Sequence, residues 1–120
     1  MTSLAHFETL AGSVALPSKA VIGGKLVAAA SGETFDNMSP RNGKLINRIA
    51  LCGEADVDAA VAAAKAAFED QRWRKLHYRD KKRIMFRLAD LMERDLEALA
   101  LFESLDSGKP IRDTLSFDVP

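Results

Sequence analysis

The 120-residue chain has little cysteine, no net charge and no long run of apolar residues. Its one cysteine, Cys52, can form neither an intramolecular disulfide nor a cysteine-rich zinc site, which fits a reducing compartment. Its 17 basic and 17 acidic residues cancel, so no field of one sign attracts nucleic acid or an anionic membrane. No apolar stretch is long enough to span a bilayer, and no signal peptide is recognisable. We therefore expect a cytoplasmic protein without nucleic acid or membrane partners.

Short β-prone runs separated by turn residues occupy the first half of the chain. Two apolar runs flank the glycine pair within residues 20–27, which predicts a β-hairpin because glycine adopts positive φ without steric cost. A further short strand is plausible within residues 33–40, and the alternating pattern over residues 45–51 predicts a third strand beyond the hairpin. Residues 1–18 are predicted to be a loose N-terminal arm, possibly with a short helix.

The apolar period changes from about 2 to about 3.6 near residue 55, which indicates helices. The alanine-rich residues 55–69 predict a first helix, and residues 78–93 and 95–107 predict two more. Asp56 and Asp58 lie in the first turn of the first helix, where acids suit the positive end of the helix dipole. The helix over residues 95–107 is apolar over much of its circumference, so we expect it to be buried between other elements. The predicted fold class is α+β, with a β-hairpin and third strand before three helices. One apolar stripe runs along the first helix: Val57, Val61, Ala64 and Phe68.

Several residues are candidates for chemistry, but a structural interpretation is favoured for each. Cys52 precedes a predicted helix, where a thiol is activated, and His77 could approach it as a base. A small apolar residue at a strand end explains Cys52 equally well and is the commoner case. His6 and His77 are too few for a metal site and are interpreted as surface histidines. Gly23-Gly24 belongs to neither phosphate-loop motif, so a hairpin turn is the preferred interpretation.

A basic stretch with interleaved aromatics lies between residues 72 and 87. Trp73 and Tyr78 among its arginines and lysines could stack on the bases of a nucleic acid. The alternative is a solvated helix face, because Ile84 and Leu88 repeat at helical spacing beneath these charges. The second interpretation is favoured.

The helix over residues 95–107 ends in the sequence LDSGKP. Gly108 and Pro110 account for the end of the helix, because glycine adopts the left-handed C-cap and proline prevents the helix from resuming. Glu103 and Asp106 share one helix face near the C-terminus, where acids oppose the helix dipole. A cation or a set of backbone N–H donors near Asp106 would explain this unfavourable position.

Three motifs in a fixed order carry a resemblance to a known family: VIGGKLV…SGETFDNMSPRNGKLINRIA, DVDAAVAAAKAAFED…W and RLADLMERDLEALALFESLDSGKP. Together, from about Val21 to Pro120, they resemble the N-terminal part of the aldehyde dehydrogenase superfamily. The ending LDSGKPIRDTLSFDVP is most similar to the branch that oxidises γ-glutamyl-γ-aminobutyraldehyde and related aminoaldehydes in polyamine catabolism.

The resemblance implies an NAD- or NADP-dependent enzyme that oxidises an aldehyde to a carboxylic acid. It also implies a Rossmann-like α/β cofactor-binding domain, of which residues 19–120 are an incomplete N-terminal part. In that family a cysteine thiolate attacks the carbonyl, hydride passes to the cofactor, and a glutamate-activated water releases the acid. An asparagine side chain and a backbone N–H stabilise the oxyanion. The resemblance places all of these residues beyond position 120, and none of them on Cys52. We therefore expect no catalytic or cofactor-binding residue in this chain, and no activity from it alone.

One family site does carry over by resemblance. Many members hold a monovalent cation between the loop that precedes the Ser-Pro turn and the acid of the LDxGKP motif. In this sequence those positions are Asn37, Met38 and Asp106, with main-chain carbonyls supplied by the first two. Hard oxygen ligands suit K⁺ or Na⁺, so Met38 is no obstacle.

The resemblance also implies partners. The remainder of an aldehyde dehydrogenase chain would cover this segment, and the full-length enzyme would be a homo-oligomer, a dimer or a tetramer. The alternative from another class is a truncated, non-catalytic α+β module that binds a partner through its apolar third helix. Either alternative leaves the segment itself without aldehyde chemistry.

Overall fold

The computed structural model describes residues 3–119, and within them it confirms a mixed α and β fold. Residues 1, 2 and 120, which fall in the predicted arm and domain, lie outside the described residues. No helix between residues 3 and 119 is both long and apolar enough to cross a membrane. The elements in chain order are α1 (Leu4–Ser13), β1 (Ala20–Ile22), β2 (Lys25–Val27), β3 (Thr34–Met38), β4 (Leu45–Ala50), α2 (Glu54–Glu69), α3 (Tyr78–Arg94), α4 (Leu96–Ser107), α5 (Ile111–Asp113) and a π-helical turn over Thr114–Asp118.

The chain divides into two compact units. The first unit contains the residues up to Leu16, Met38–Ile46 and the residues from Arg87 onward. The second unit contains Pro17–Asn37 and Asn47–Phe86. The predicted boundary between an arm and a domain at residue 18 stays a prediction.

The first unit has its core where α1, α4 and the C-terminal turns meet. The hydroxyl of Ser3 caps α1 by accepting a hydrogen bond from the His6 N–H at 3.3 Å. Phe7 of α1 and Ala100 and Leu101 of α4 are buried. The arm is therefore not loose, because a buried aromatic ring anchors its helix in the unit. The prediction of a helix ending at residue 107 is confirmed, and its middle turn is buried as expected.

The second unit combines a hairpin with α2. Strands β1 and β2 pair antiparallel, with Val21 opposite Leu26, and Gly23 and Gly24 take φ of 57° and 77° in the turn between them. The predicted hairpin is confirmed, because both turn residues have the positive φ that favours glycine. Helix α2 packs against β1, and a Cβ placed on Gly23 would lie 3.7 Å from the Cβ of Ala63.

The structure has one more strand than the predicted hairpin and third strand. Strands β3 and β4 form a second two-stranded sheet, so the described residues contain four strands rather than a hairpin and a third strand. A turn joins them, in which the Ser39 N–H donates to the Lys44 carbonyl at 2.8 Å. The run within residues 33–40 was a weak strand candidate because its pattern is short, and pairing with β4 stabilises it.

Helices α2 and α3 match their predicted positions but expose the apolar side chains that their periodicity marks. The α2 apolar stripe, Val57, Val61, Ala64 and Phe68, is exposed, and Phe68 retains 76% of its accessible surface. Helix α3 contains no buried residue, and Ile84 and Leu88 are nearly half exposed. The periodicity thus identified the helices correctly, although these apolar residues have no apolar cover within the described chain.

Candidate functional site

The end of α4 has the geometry that its sequence predicts. Gly108 is the C-cap with φ of 76° and ψ of 6°, and its N–H donates to the Ser104 carbonyl at 3.1 Å. A Cβ built on Gly108 would meet the Cγ of Pro40 at 3.0 Å, so the turn after β3 packs directly on the cap. Only glycine satisfies both the left-handed backbone and this close approach.

Polar contacts fix the chain that leaves this cap. The Ser104 hydroxyl donates to the Lys109 carbonyl at 2.6 Å. The Lys109 ammonium donates to both carboxylate oxygens of Asp118, at 2.7 and 2.9 Å. This hydrogen bonding raises the pKa of Lys109 above its usual range. The lysine of the LDSGKP stretch therefore ties the cap to the C-terminal π turn, which is a structural role.

A cavity of about 460 Å³ lies beside the cap, within the first unit. Helix α1 contributes Phe7, α4 contributes Leu101, and the residues after the Gly108 cap complete the wall. The lining is mostly apolar, and its charged members are Glu8, Arg41 and Lys109. Because Lys109 is held by Asp118, the cavity has the character of a hydrophobic groove rather than of a reaction centre.

The three residues predicted to hold a monovalent cation lie in two elements. Asn37 is in β3, where its amide donates to the Asn47 side chain at 3.2 Å, and the Asn47 amide donates to the Pro17 carbonyl at 2.8 Å. Met38 ends β3 and is exposed. Asp106 lies in the last turn of α4 and is exposed. Residues 3–119 bring no three His, Cys, Asp or Glu side chains together for a metal, but carbonyl ligands would not form such a group. The cation site stays a prediction.

The positions of the cysteine and the two histidines agree with structural rather than catalytic roles. Cys52 is a free, exposed thiol just before α2. His77 is engaged locally, since its Nδ1 accepts from the Arg79 N–H at 3.3 Å and its ring lies against Tyr78. His6 Nε2 lies 2.9 Å from a carboxylate oxygen of Glu97, which joins α1 to α4. None of these geometries assembles a nucleophile with a base.

The basic stretch is exposed and partly neutralised by its own acids. Arg72 pairs with Asp70, and hydrogen bonding from Arg72 lowers the pKa of that carboxyl. Arg83 pairs with Asp80 at 3.1 Å. The Lys81 ammonium lies 6.0 Å from the Trp73 ring centre, the outer limit of a cation–π contact. Local pairing of this kind is what a solvated helix face would show, whereas the absence of a nucleic acid partner stays a prediction.

Asp56 is the residue whose importance the sequence did not reveal. Its carboxylate is buried and accepts two backbone hydrogen bonds of 2.9 Å, from the N–H of Gly53 and from the N–H of Ala30. The first is half of a capping box at the start of α2. The second joins α2 to a loop 26 residues earlier in the chain. For Asp56 the sequence predicted only a favourable interaction with the helix dipole. Nothing in the spacing of nearby residues indicates that the Ala30 N–H would be its hydrogen-bond partner.

Comparison with known proteins matches residues 26–120 to the aldehyde dehydrogenase family. An aminoacetaldehyde dehydrogenase of Pseudomonas aeruginosa is 42% identical over all 120 residues, which are 24% of that protein. The γ-glutamyl-γ-aminobutyraldehyde dehydrogenase of Burkholderia cenocepacia superposes with a TM-score of 0.95 and is 44% identical over 99% of this chain. The indole-3-acetaldehyde dehydrogenase of P. syringae, in complex with NAD⁺, superposes with a TM-score of 0.94 at 42% identity over the whole chain.

The chain spans about a quarter of the length of these relatives, 24% in each case. The residues matched to the family, 26–120, include the end of α4 and its Gly108 cap. The similarity therefore concerns a region of the relatives, rather than their whole length.

Proposed function

Because this chain belongs to the aldehyde dehydrogenase family, we propose that it is the N-terminal part of an NAD(P)-dependent enzyme that oxidises an aldehyde to a carboxylic acid. The observation that carries the proposal is the full-length match of this chain to only 24% of a relative, at 42% identity. The TM-score of 0.95 with another family member supports the same placement. In this proposal the segment is a scaffold and performs no step on the aldehyde.

The proposed substrate is an aminoaldehyde of polyamine catabolism. Two similar proteins bear the names aminoacetaldehyde dehydrogenase and γ-glutamyl-γ-aminobutyraldehyde dehydrogenase, and both names describe an aldehyde that carries nitrogen. A third neighbour acts on indole-3-acetaldehyde, so the family similarity alone spans more than one substrate class. The LDSGKPIRDTLSFDVP ending favours the aminoaldehyde branch.

The proposed cofactor is NAD or NADP, held by residues outside this chain. A structural neighbour is in complex with NAD⁺, which supports the assignment for the whole enzyme. The chain contains neither glycine-rich phosphate motif, so its sequence offers no such loop for the pyrophosphate of the cofactor. We include in the proposal a cytoplasmic location, with which the free thiol of Cys52 is consistent. The proposal also includes a homo-oligomer, which rests on the family resemblance alone.

A hybrid enzyme tests the proposal. In the hybrid, this chain replaces the matching N-terminal residues of the P. aeruginosa aminoacetaldehyde dehydrogenase. We expect the hybrid to produce NADH from NAD⁺ and an aminoaldehyde, measured by NADH absorbance, and the 120-residue chain alone to produce none. Turnover by the chain alone would contradict the expected inactivity. A folded hybrid without turnover would favour the alternative, a non-catalytic module.

The proposed K⁺ or Na⁺ site uses oxygen donors that suit such ions, the carbonyls of Asn37 and Met38 and the carboxylate of Asp106. We expect Asp106→Ala to remove the stabilisation that K⁺ gives the hybrid, seen as a melting temperature that no longer differs between K⁺ and choline buffers. Glu103→Ala, also exposed on α4, is the matched control and should retain the difference. An unaltered hybrid that melts equally in both buffers would contradict the site.

A further inference from the structure

The cavity beside the Gly108 cap is lined by three parts of the first unit: α1, α4 and the turns on either side of the cap. Its apolar lining includes Phe7, Leu101, Leu105 and Ile111. Its volume of about 460 Å³ falls within the range of about 300–1,000 Å³ that is usual for small-molecule sites. We call it the α1 cavity, because α1 forms one of its walls.

Helix α1 makes this cavity a feature of some family members rather than of the family as a whole. The residues matched to the family begin at residue 26, so α1 lies outside them. The B. cenocepacia structure nevertheless covers 99% of this chain at a TM-score of 0.95, so α1 has a counterpart in that longer chain. The wall that α1 supplies is therefore compatible with a complete enzyme.

The polar groups beside the Gly108 cap already have partners in the chain. The Ser104 hydroxyl donates to the Lys109 carbonyl at 2.6 Å. The Lys109 ammonium donates to the two carboxylate oxygens of Asp118, which neutralise its charge. A ligand in this part of the cavity meets mainly apolar side chains, so it needs an apolar body to gain from burial.

Two other charged residues of the lining have opposite signs and no ion pair within residues 3–119: Glu8 of α1 and Arg41. They lie on different walls, since Arg41 belongs to the turn after β3. Hydrogen bonds fix that turn, because the Ser39 hydroxyl accepts from the Arg41 N–H at 3.3 Å and the Ser39 carbonyl accepts from the Gly43 N–H at 2.8 Å. The cavity thus combines an apolar interior with one cation and one anion.

We propose that the α1 cavity binds an ω-amino acid, whose methylene chain lies against the apolar walls. The planar guanidinium of Arg41 suits the carboxylate of such a ligand, and Glu8 attracts its ammonium. A ligand with a single charge would leave one of these two residues without a counter-ion. The proposal assigns a binding site and no reaction, and it does not rest on the proposed aldehyde oxidation.

Three probes with the same chain length test the proposal: ω-aminooctanoate, octanoate and octylamine. Isothermal titration calorimetry at neutral pH measures their binding to the 120-residue chain and to the hybrid enzyme. We expect ω-aminooctanoate to bind most tightly to both proteins. Arg41→Gln should weaken ω-aminooctanoate and octanoate by about three- to tenfold and leave octylamine unchanged. Glu8→Gln should weaken ω-aminooctanoate and octylamine and leave octanoate unchanged.

Lys44→Gln is the matched control for Arg41→Gln. Lys44 is an exposed cation of the same turn and does not line the cavity, so its removal lowers the net charge equally. We expect the control to bind all three probes as the unaltered protein does. Equal weakening by Lys44→Gln and Arg41→Gln would show only a general effect of charge and would overturn the site, as would tighter binding of octylamine than of ω-aminooctanoate.

The comparison of the two proteins separates this site from the proposed function. Binding to the 120-residue chain but not to the folded hybrid would overturn the site, because the longer chain would then fill the cavity. A folded, inactive hybrid that distinguishes Arg41→Gln from Lys44→Gln would support the site and contradict the proposed function. An active hybrid that binds none of the probes would contradict the site and leave the proposed function intact.

Discussion

Replacing Asp56 with alanine is expected to destabilise the chain by about 2–4 kcal/mol, because two backbone N–H groups lose their acceptor at once. The carboxylate accepts from Gly53 and from Ala30 at 2.9 Å each, and the side chain is buried, so water cannot replace it without rearrangement. Loss of a helix N-terminal cap alone costs about 1 kcal/mol, and the Ala30 contact adds a tertiary component. Against a typical total of 5–15 kcal/mol for a folded domain, this is a large fraction.

Urea denaturation followed by circular dichroism measures this loss, and Asp58→Ala is the matched control. Asp58 is also in the first turn of α2 but is exposed, and no hydrogen bond through its side chain is observed among residues 3–119. We expect Asp58→Ala to change the urea midpoint little. Asp56→Asn should fall between the two, since an amide keeps an acceptor oxygen for one backbone N–H but places a donor N–H against the other. Equal midpoints for Asp56→Ala and Asp58→Ala would show that the buried carboxylate does not fasten α2.

The start of α2 shows how far local sequence reasoning reaches. The alanine content and the acidic first turn predicted a helix near residue 55, and the structure begins it at Glu54. The same rules assigned Asp56 a favourable interaction with the dipole and no more. The bond to Ala30 depends on where the loop after the hairpin lies, and that position results from tertiary packing rather than from any spacing along the chain.

The periodicity of the apolar residues predicted the helices correctly, but it did not predict which helix face packs against a neighbour. It identified the α2 apolar stripe, but within the described chain the helix contacts the hairpin through alanines instead. A pattern of apolar residues predicts which face seeks cover and not which neighbour supplies it. The Gly-Gly hairpin was predictable in detail because its geometry is decided by two adjacent residues, whose positive φ only glycine adopts easily.

In the candidate site too, local features could be predicted from the sequence and tertiary contacts could not. The helix end at Gly108 could be predicted, since capping is local, whereas the tie from Lys109 to Asp118 could not. Asn37 could be assigned to a cation site only by resemblance, and its side chain proves to be engaged with Asn47. That bond involves the side-chain amide, whereas the proposed ligand is the main-chain carbonyl. Local rules thus located the cap, while resemblance alone suggested a ligand set.

Replacing Gly108 with alanine is expected to destabilise the chain by about 1–3 kcal/mol, through backbone strain and a steric contact together. At φ of 76° the backbone is in the left-handed region, where a Cβ crowds the peptide group. The added Cβ would also lie 3.0 Å from the Cγ of Pro40, closer than ordinary van der Waals contact. The Pro40 ring has no alternative rotamer of the kind a long side chain offers, so the turn after β3 would have to move.

Two further substitutions separate these causes in the same urea experiment. Gly108→Asn places a Cβ at the same point, but asparagine adopts the left-handed conformation more easily than alanine does. This variant should therefore have less backbone strain than Gly108→Ala and the same close contact with Pro40. Gly12→Ala, in α1, meets nothing within 4 Å of its Cβ, and it should stabilise the chain slightly because alanine favours a helix. We therefore expect the free energy of unfolding to fall in Gly108→Ala and to rise slightly in Gly12→Ala. If Gly108→Ala were as harmless as Gly12→Ala, the cap and its contact with Pro40 would not form in solution.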